Sequence, residues 1–207
     1  MRKIKVLHII TRLILGGAQE NTLFTVEGLE KTGRYEVKLL TGPPIGPEGE
    51  MLGYCRDHSI RHRVFSQMQR QINPLRDGVS FFELYFYLKH NKFDIVHTHS
   101  SKAGIIGRAA ARLAGVPVIV HTIHGLPFHS YQADLINRFF IELEARAASA
   151  TDLIICVAKS MIDQSVRAQI ADREKFCLVR SGFPVDQFLN ARKDEELARR
   201  LGIEPDD

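Results

Sequence analysis

The chain alternates short apolar runs rich in β-branched residues with longer segments of helical periodicity, and this alternation limits its fold class more than any other feature. Parallel strands covered on both faces read as nearly continuous apolar runs, joined by right-handed helical crossovers. We therefore predict an α/β fold: a Rossmann-like, doubly wound, mainly parallel sheet of seven strands with helices on both faces. The predicted strands are Ile4–Ile10, Glu36–Thr41, His62–Phe65, Ile95–Thr98, Val118–Thr122, Leu153–Val157 and Phe176–Arg180.

Local signals mark the ends of two helices. Asn73 supplies a capping side chain before Pro74, and the periodicity then predicts a helix to about Asn91. Ser101 begins a second predicted helix, which ends at Ala114-Gly115.

The first of these helices has two apolar faces. One carries Leu75, Val79, Phe82 and Phe86. The other carries Phe81, Leu84, Tyr85 and Leu88. Because one face is enough to pack on the sheet, we expect the second to be covered by a neighbouring chain, a membrane or a further domain.

Composition places the chain among ordinary globular proteins. It has 207 residues, with 28 Lys and Arg against 24 Asp and Glu, a formal net charge of +4. This surplus suits anionic small molecules or an acidic membrane surface and does not require nucleic acid, so we predict no nucleic-acid partner. No apolar run approaches the roughly 20 residues of a membrane helix. We predict a cytoplasmic protein able to lie at the inner face of the membrane.

Ligands of open parallel sheets bind beyond the carboxyl ends of the strands, so residues at those ends are the first candidates for a site. Gly16-Gly17 follows the first strand and enters a helix, where backbone amides attract phosphate. A tight turn that needs glycine only for its shape is the alternative. The G-x-G-x-x-G spacing of dinucleotide sites and the Walker loop are both absent.

Histidines follow two further strands. His97 and His99 share one face of the fourth strand, and His97, deeper in the strand, is equally typical of a core histidine. His99, Ser100, Ser101 and Lys102 offer donors for an anion or for sugar hydroxyls. His124-Gly125 ends the fifth strand.

The histidines alone would be compatible with zinc, and a His-rich metal-dependent hydrolase is one alternative function. Glu20 is the single acidic residue at these strand ends, and His-x-His hydrolases usually occupy a longer barrel, so we predict no metal. A G-x-S-x-G nucleophile elbow is also absent.

Taken together, the motifs resemble the N-terminal half of the family-4 glycosyltransferases of the GT-B fold. They occur in the family's order, as Gly16–Glu20, Asp94–Gly104, His121–Gly125 and Val179–Phe188. The last departs from the family pattern by an inserted Phe183-Pro184 and a serine in place of asparagine, in a turn that is structural.

The resemblance implies two Rossmann-like domains facing each other across a cleft. Residues 1–188 would form the N-terminal, acceptor-binding domain, and residues 189–207 a connector towards a C-terminal donor-binding domain. It implies retaining transfer of a hexose from a nucleotide-sugar donor to a hydroxyl of a sugar or lipid-linked acceptor, in the biosynthesis of cell-surface polysaccharide or glycolipid such as lipopolysaccharide. No cofactor is implied, and the chain by itself is expected to be inactive.

The resemblance also assigns residues. His124 would be the catalytic residue that contacts the donor sugar, and Gly16 and Gly17 would bind the diphosphate. The residues expected to contact acceptor or sugar are Gln19, His99, Ser101, Lys102 and Gly125. The basic stretch near Arg61 and the aromatic helix predict peripheral membrane contact. A GT-B nucleotide-sugar 2-epimerase is the main alternative, although such enzymes need carboxylates and an arginine in the cleft.

Overall fold

A parallel seven-stranded sheet organises the molecule, which we describe from a computed structural model covering residues 2–203, with the side chain of residue 187 excluded. The strand order is β3-β2-β1-β4-β5-β6-β7, and every neighbouring pair is parallel. The strands are β1 (Ile4–Arg12), β2 (Tyr35–Gly42), β3 (His62–Val64), β4 (Ile95–His99), β5 (Val118–Ile123), β6 (Leu153–Cys156) and β7 (Phe176–Leu178). The predicted fold class and all seven strands are confirmed.

The crossovers between strands are helical. The helices are α1 (Gly17–Lys31), α2 (Leu52–Asp57), α3 (Pro74–Asn91), α4 (Ser101–Ala114), α5 (Asp134–Ser149), α6 (Lys159–Arg167), α7 (Val185–Leu189) and α8 (Glu195–Leu201). The Asn73 side chain caps α3 by accepting hydrogen bonds from the amides of Leu75 and Arg76. Gly115, at φ +74°, ends α4 in the left-handed region. Both predicted helices are confirmed.

Alternation along β1 divides the core between the two faces of the sheet. Leu7 and Ile9 pack in a cluster with residues of α3 and α4. Val6 and Ile10 point the other way, into a cluster with α1 and α2. A third cluster lies beneath α5 and α6. Helices therefore cover both faces, as predicted.

The direction of strand addition reverses between β1 and β4. The chain first builds outward from β1 to β2 and β3, then returns through α3 to place β4 on the other side of β1. This reversal leaves a crevice at the carboxyl ends of β1 and β4, where open α/β sheets bind their ligands.

One face of α3 remains uncovered, as the two-faced pattern predicted. Leu84 and Leu88 are buried against the sheet. Leu75, Val79, Phe82 and Phe86, hereafter the α3 stripe, are 49–84% exposed.

The chain beyond residue 188 forms the end of α7 and the short helix α8, in which Leu197 and Leu201 are exposed. The predicted boundary between residues 1–188 and a connector at 189–207 stays a prediction. Residues 204–207 of that connector lie outside the described part of the chain.

A buried ion pair joins α4 to α5. Arg108 Nη2 lies 2.6 Å from Glu144 Oε2, both side chains are at most 4% exposed, and Arg108 Nε also donates to the carbonyl oxygen of Gly104. Removing one partner of such a pair leaves the other charge buried and unpaired, which destabilises the folded state. Replacing both partners by apolar groups avoids that loss of stability.

We expect Arg108→Met alone to reduce the free energy of unfolding by about 3–5 kcal/mol, because Glu144 is left unpaired. Adding Glu144→Leu should recover most of that loss. Urea unfolding of the two variants measures both effects. Arg146→Ala is the matched control, since it breaks the exposed pair with Glu142 on the same helix and should cost under about 1 kcal/mol. A double variant no more stable than Arg108→Met would contradict this account.

Candidate functional site

A cavity of about 310 Å³ lies at the carboxyl end of the sheet, beside the crevice between β1 and β4. Ala18 borders it from α1, and Ser100 and Ser101 border it from the start of α4. His124 and Gly125 border it from the loop after β5. Three separate elements thus meet around one space.

The first turn of α1 lies beside this cavity, which its residue Ala18 lines. Gly16 precedes the helix, and its carbonyl accepts hydrogen bonds from the amides of Gln19 and Glu20. The amides of Gly17 and Ala18 donate no hydrogen bond within residues 2–203. An unpaired first turn is where a helix attracts an anion.

Neither glycine is demanded by the turn itself. A Cβ built on Gly17 would meet nothing within 4 Å, and one built on Gly16 would meet the movable carboxamide of Gln19 at 2.9 Å. Both lack the positive φ that favours glycine. Turn geometry therefore does not require glycine at either position, and phosphate binding by this turn stays a prediction.

The start of α4 is held in an unusual conformation. Ser100 has φ +61°, which is rare for a residue with a side chain. Its Oγ lies 2.7 Å from Thr11 Oγ1, and Thr11 Oγ1 accepts a hydrogen bond from the Ala103 amide. Ser100 is among the donors predicted from sequence at this strand end. The motifs do not indicate its partner Thr11, because their pairing joins residues 89 positions apart.

Three histidines form a hydrogen-bonded row that ends at the cavity. His8 Nδ1 lies 2.9 Å from His99 Nε2, and His99 Nδ1 lies 3.1 Å from His124 Nε2. His97 packs beside the row, with its Nε2 2.7 Å from Thr122 Oγ1. His8 is not among the residues predicted from sequence. The available signal was a histidine within the apolar run Val6–Ile10, in a strand predicted to lie in the same sheet as the strand of His97.

Two further histidines lie apart from this row. His121 points to the opposite face of the sheet, where its Nδ1 is 2.9 Å from Thr98 Oγ1. His129 is exposed in the loop after β5.

Burial keeps the histidines of the row uncharged. Desolvation lowers the pKa of His8 to about 3 and that of His124 to about 4. Desolvation, followed by repulsion from His97 and His8, also holds the pKa of His99 well below its usual value. A neutral imidazole with so low a pKa is a hydrogen-bonding group and a weak base at neutral pH.

Within residues 2–203, His8, His97 and His99 form the group that could approach a metal ion, since one nitrogen from each lies within 4.8 Å of the others. Tetrahedral zinc at about 2.0–2.1 Å from each ligand would place those nitrogens roughly 3.4 Å apart. The observed hydrogen bonds occupy His99 on both ring nitrogens, so ligation would require rearrangement of the row.

A larger groove of about 640 Å³ adjoins the cavity and shares Ser100, Ser101 and Pro127 with it. Its polar side contains Gln19 and Lys102, and Lys102 pairs with Asp77 at 2.6 Å and also contacts the carbonyl oxygen of Gln71. The other cations and the apolar wall of the groove are Arg12, Arg70, Ile72, Ile105, Ile106, Phe139, Phe140 and Leu143.

The residues predicted from sequence occupy four kinds of position. Ser101, His124 and Gly125 line the cavity, and Gln19, Ser101 and Lys102 line the groove. Gly16 and Gly17 start α1 next to the lining residue Ala18. His99 is 1% exposed and reaches the cavity only through His124.

The fold is a Rossmann-like, doubly wound α/β sheet with polar side chains gathered at the carboxyl ends of its strands. Sequence comparison specifies the family. Residues 15–187 match Glycosyltransferase Family 4, and the chain belongs to that family. It is 34% identical over 199 residues to the UDP-Gal:alpha-D-GlcNAc-diphosphoundecaprenol alpha-1,3-galactosyltransferase of Escherichia coli. That match covers 96% of this chain and 50% of the relative, so the chain spans about half of the relative's length.

Solved structures share the fold. The crystal structure of Anabaena HepE in complex with UDP and glucose superposes with a TM-score of 0.70 at 18% identity, covering 96% of this chain and 50% of that one. Methanocaldococcus jannaschii UDP-GlcNAc 2-epimerase, in complex with UDP-GlcNAc and UDP, gives a TM-score of 0.63 at 13% identity, with coverages of 85% and 46%. These likenesses establish the fold.

Between residues 2 and 203, none of the helices combines the length and the apolarity needed to cross a bilayer.

The pKa values predict acid sensitivity. A buried histidine whose pKa falls from 6.5 to about 4 binds fewer protons folded than unfolded between those values. Its stabilising contribution is therefore complete above about pH 6.5 and is lost as the pH falls towards 4.

We expect the free energy of unfolding to drop between pH 7 and pH 5 by about 1–2 kcal/mol for each of His8 and His124. Burial of His99 acts in the same direction. Urea unfolding at the two pH values measures the drop. His8→Phe should reduce it, whereas His129→Gln, at an exposed loop position, should leave it unchanged. An equal drop in His8→Phe and the parent chain would contradict the assignment.

Proposed function

We propose that the chain is the acceptor-binding part of a retaining glycosyltransferase, which transfers a sugar from a nucleotide diphosphate to an acceptor hydroxyl in the biosynthesis of cell-surface polysaccharide or glycolipid. The observation that carries the proposal is the meeting of α1, α4 and His124 around one cavity at the strand ends. Membership of Glycosyltransferase Family 4 and the likeness to a galactosyltransferase support it.

The cavity suits the diphosphate end of the donor. The first turns of α1 and α4 both border it, and the positive ends of two helix dipoles favour negative charge there. During transfer, charge accumulates on the departing phosphate, so donors already oriented towards that position stabilise the transition state. We assign this role to the amides beginning at Gly16 and Gly17, with a donor-binding domain supplying the other wall.

His124 suits a hydrogen bond to the donor sugar. Its pKa of about 4 makes it a weak base, so proton abstraction falls to another group. In retaining transfer the bond from the anomeric carbon to the phosphate oxygen breaks, and the acceptor oxygen bonds to the same face. The acceptor proton passes to the departing phosphate oxygen, which lies on that face.

The groove suits a lipid-linked acceptor. The name of the Escherichia coli relative includes a diphosphoundecaprenol acceptor, which combines a diphosphate with a long apolar chain. Lys102, Arg12 and Arg70 offer positive charge on one side of the groove, and aliphatic and aromatic side chains form the other. Ser101, which lines both the groove and the cavity, and Gln19, which lines the groove, can bind the sugar of the acceptor. Gly125 leaves room above His124.

The α3 stripe extends this acceptor surface towards an anionic membrane. Ile72, at the rim of the groove, is 70% exposed, and Leu75 continues the apolar surface onto α3. The Lys102–Asp77 ion pair ties the start of α3 to the groove. Arg76 and Lys89, both exposed, flank the stripe and can meet lipid phosphates. The enzyme would thus work at the cytoplasmic face of the membrane that holds its acceptor.

A nucleotide-sugar 2-epimerase shares the fold and remains the second candidate on that basis. The acidic side chains of the cavity and groove, Glu144 and Asp77, are each engaged in an ion pair, which disfavours their use as acid and base. Incubating the complete enzyme with nucleotide sugar and no acceptor separates the two: an epimerase converts the sugar, and a transferase does not.

We expect His124→Ala to lower turnover of the complete enzyme by about 100-fold or more, because a positioned donor to the reacting sugar is lost. The assay follows nucleotide diphosphate release in the presence of acceptor. The 207-residue chain alone should give no enzymatic turnover.

His129→Ala is the matched control, since it removes an exposed histidine five residues away and should leave turnover unchanged. Unchanged turnover in His124→Ala would remove that residue from the site. Enzymatic turnover by the chain alone would refute the need for a second domain.

We expect the double variant Phe82→Ser, Phe86→Ser to bind vesicles of phosphatidylglycerol and phosphatidylcholine about tenfold more weakly than the parent chain, because inserted apolar area is lost. Co-flotation with the vesicles measures the binding. The control pair Leu113→Ser, Val118→Ser changes exposed apolar residues at the opposite end of the sheet and should bind like the parent. A parent chain that does not float with vesicles would overturn membrane contact.

A further inference from the structure

The row of His8, His99 and His124 runs from the core to the cavity wall. His8 and His99 are fully buried, and His124, half-buried, lines the cavity. The two imidazole–imidazole distances, 2.9 and 3.1 Å, are hydrogen-bond lengths. Each bond therefore needs one protonated nitrogen and one bare nitrogen.

Because the three imidazoles are neutral, the direction of one hydrogen bond in the row fixes the direction of the other. A neutral imidazole has one N–H and one lone pair, so His99 can donate through one nitrogen and must accept through the other. Both bonds must then point in the same direction along the row. Only two arrangements exist, with all the donors pointing towards the cavity or all of them pointing towards the core.

The buried end of the row, at His8, decides between the two arrangements of donors. His8 Nε2 is buried and has no hydrogen-bond partner in the described part of the chain. If the donors pointed towards the core, this nitrogen would carry an unpaired N–H; if they point towards the cavity, it carries only a lone pair. Buried N–H groups without a partner are the rarer defect in native proteins.

We propose that His8 and His99 are positioning residues that hold His124 in the tautomer with its proton on Nδ1. His8 Nδ1 donates to His99 Nε2, and His99 Nδ1 donates to His124 Nε2. His124 then presents a fixed Nδ1–H to the cavity, as a donor to a hydroxyl or phosphate oxygen of the ligand. The catalytic value of this donor rests on the proposed function of the cavity; the tautomer does not.

His97 supports the same row without belonging to it. Its ring centroid lies 4.8 Å from that of His8 and 4.3 Å from that of His99, and its own Nε2 is engaged with Thr122. It packs against both positioning rings and limits their rotation.

Nuclear magnetic resonance of the 207-residue chain with ¹⁵N-labelled histidine, at pH 7.5 and without ligand, reads the protonated nitrogen of each ring directly. The expected spectrum shows the Nδ1–H tautomer for His8, His99 and His124. Free histidine in water favours Nε2–H, so this result would not arise by default. An Nε2–H signal for His124 overturns the proposal, and so does a zinc-induced shift of all three rings at equimolar metal.

Variants test whether the row acts through His124. His99→Phe keeps a flat ring and removes both hydrogen bonds, whereas the carboxamide of His99→Gln can still donate and accept. We expect Nε2–H to appear on His124 in His99→Phe and to stay absent in His99→Gln. We also expect Nε2–H to appear on His124 in His8→Phe. This variant replaces His99→Phe in the test if His99→Phe fails to fold.

Kinetics of the complete enzyme separate this proposal from the function on which its value rests. His99→Phe should lower kcat about tenfold or more, with little change in KM for the donor, because loss of tautomer control slows other histidine sites. In His99→Gln, most of the kcat of the parent enzyme should be retained. Equal defects in His99→Phe and His99→Gln would overturn the positioning role. Suppose that His124 carries Nδ1–H in the parent chain, but that the His124→Ala variant of the complete enzyme has unchanged turnover. The proposed function then fails, and the tautomer assignment stands.

Discussion

The parallel pairing of β1 with β4 is the interaction on which the site depends. It places His8 opposite His97 and brings His99 within hydrogen-bond distance of His8. It also sets the first turns of α1 and α4 side by side, since each helix begins soon after one of these strands ends. A shift of the β4 register by one residue would turn His97 and His99 to the other face of the sheet. The hydrogen bond between His8 and His99 would then be lost.

The cavity and the groove differ in the charge that they offer to a ligand. The cavity is bordered by helix starts, by the neutral His121 and His124, and by Glu144, whose charge is paired with Arg108. It therefore offers hydrogen-bond donors without a full positive charge. The groove contains cations, of which Lys102 and Arg12 are already paired with carboxylates. Such a surface can receive phosphate groups by exchanging partners, and it avoids leaving an isolated charge when no ligand is bound.

The fold was largely readable from the sequence because its signals are local. Apolar β-branched runs mark strands that are buried on both faces, and Asn73 and Gly115 mark helix ends through their own backbone requirements. The α3 stripe was also predictable as a second apolar face. The sequence could not show which of the two faces meets the sheet, because both have helical spacing.

The sequence by itself determined the strand–helix alternation, the polar residues at the strand ends and the family motifs, since each depends on neighbours along the chain. Only the tertiary structure decided that His8 lies behind His99, that Ser100 hydrogen-bonds to Thr11, and that His121 meets Thr98 on the other face of the sheet while also lining the cavity. These relations join strands about 90 residues apart in sequence, or depend on which face a side chain takes. Sheet register sets them, and register results from the packing of the whole core.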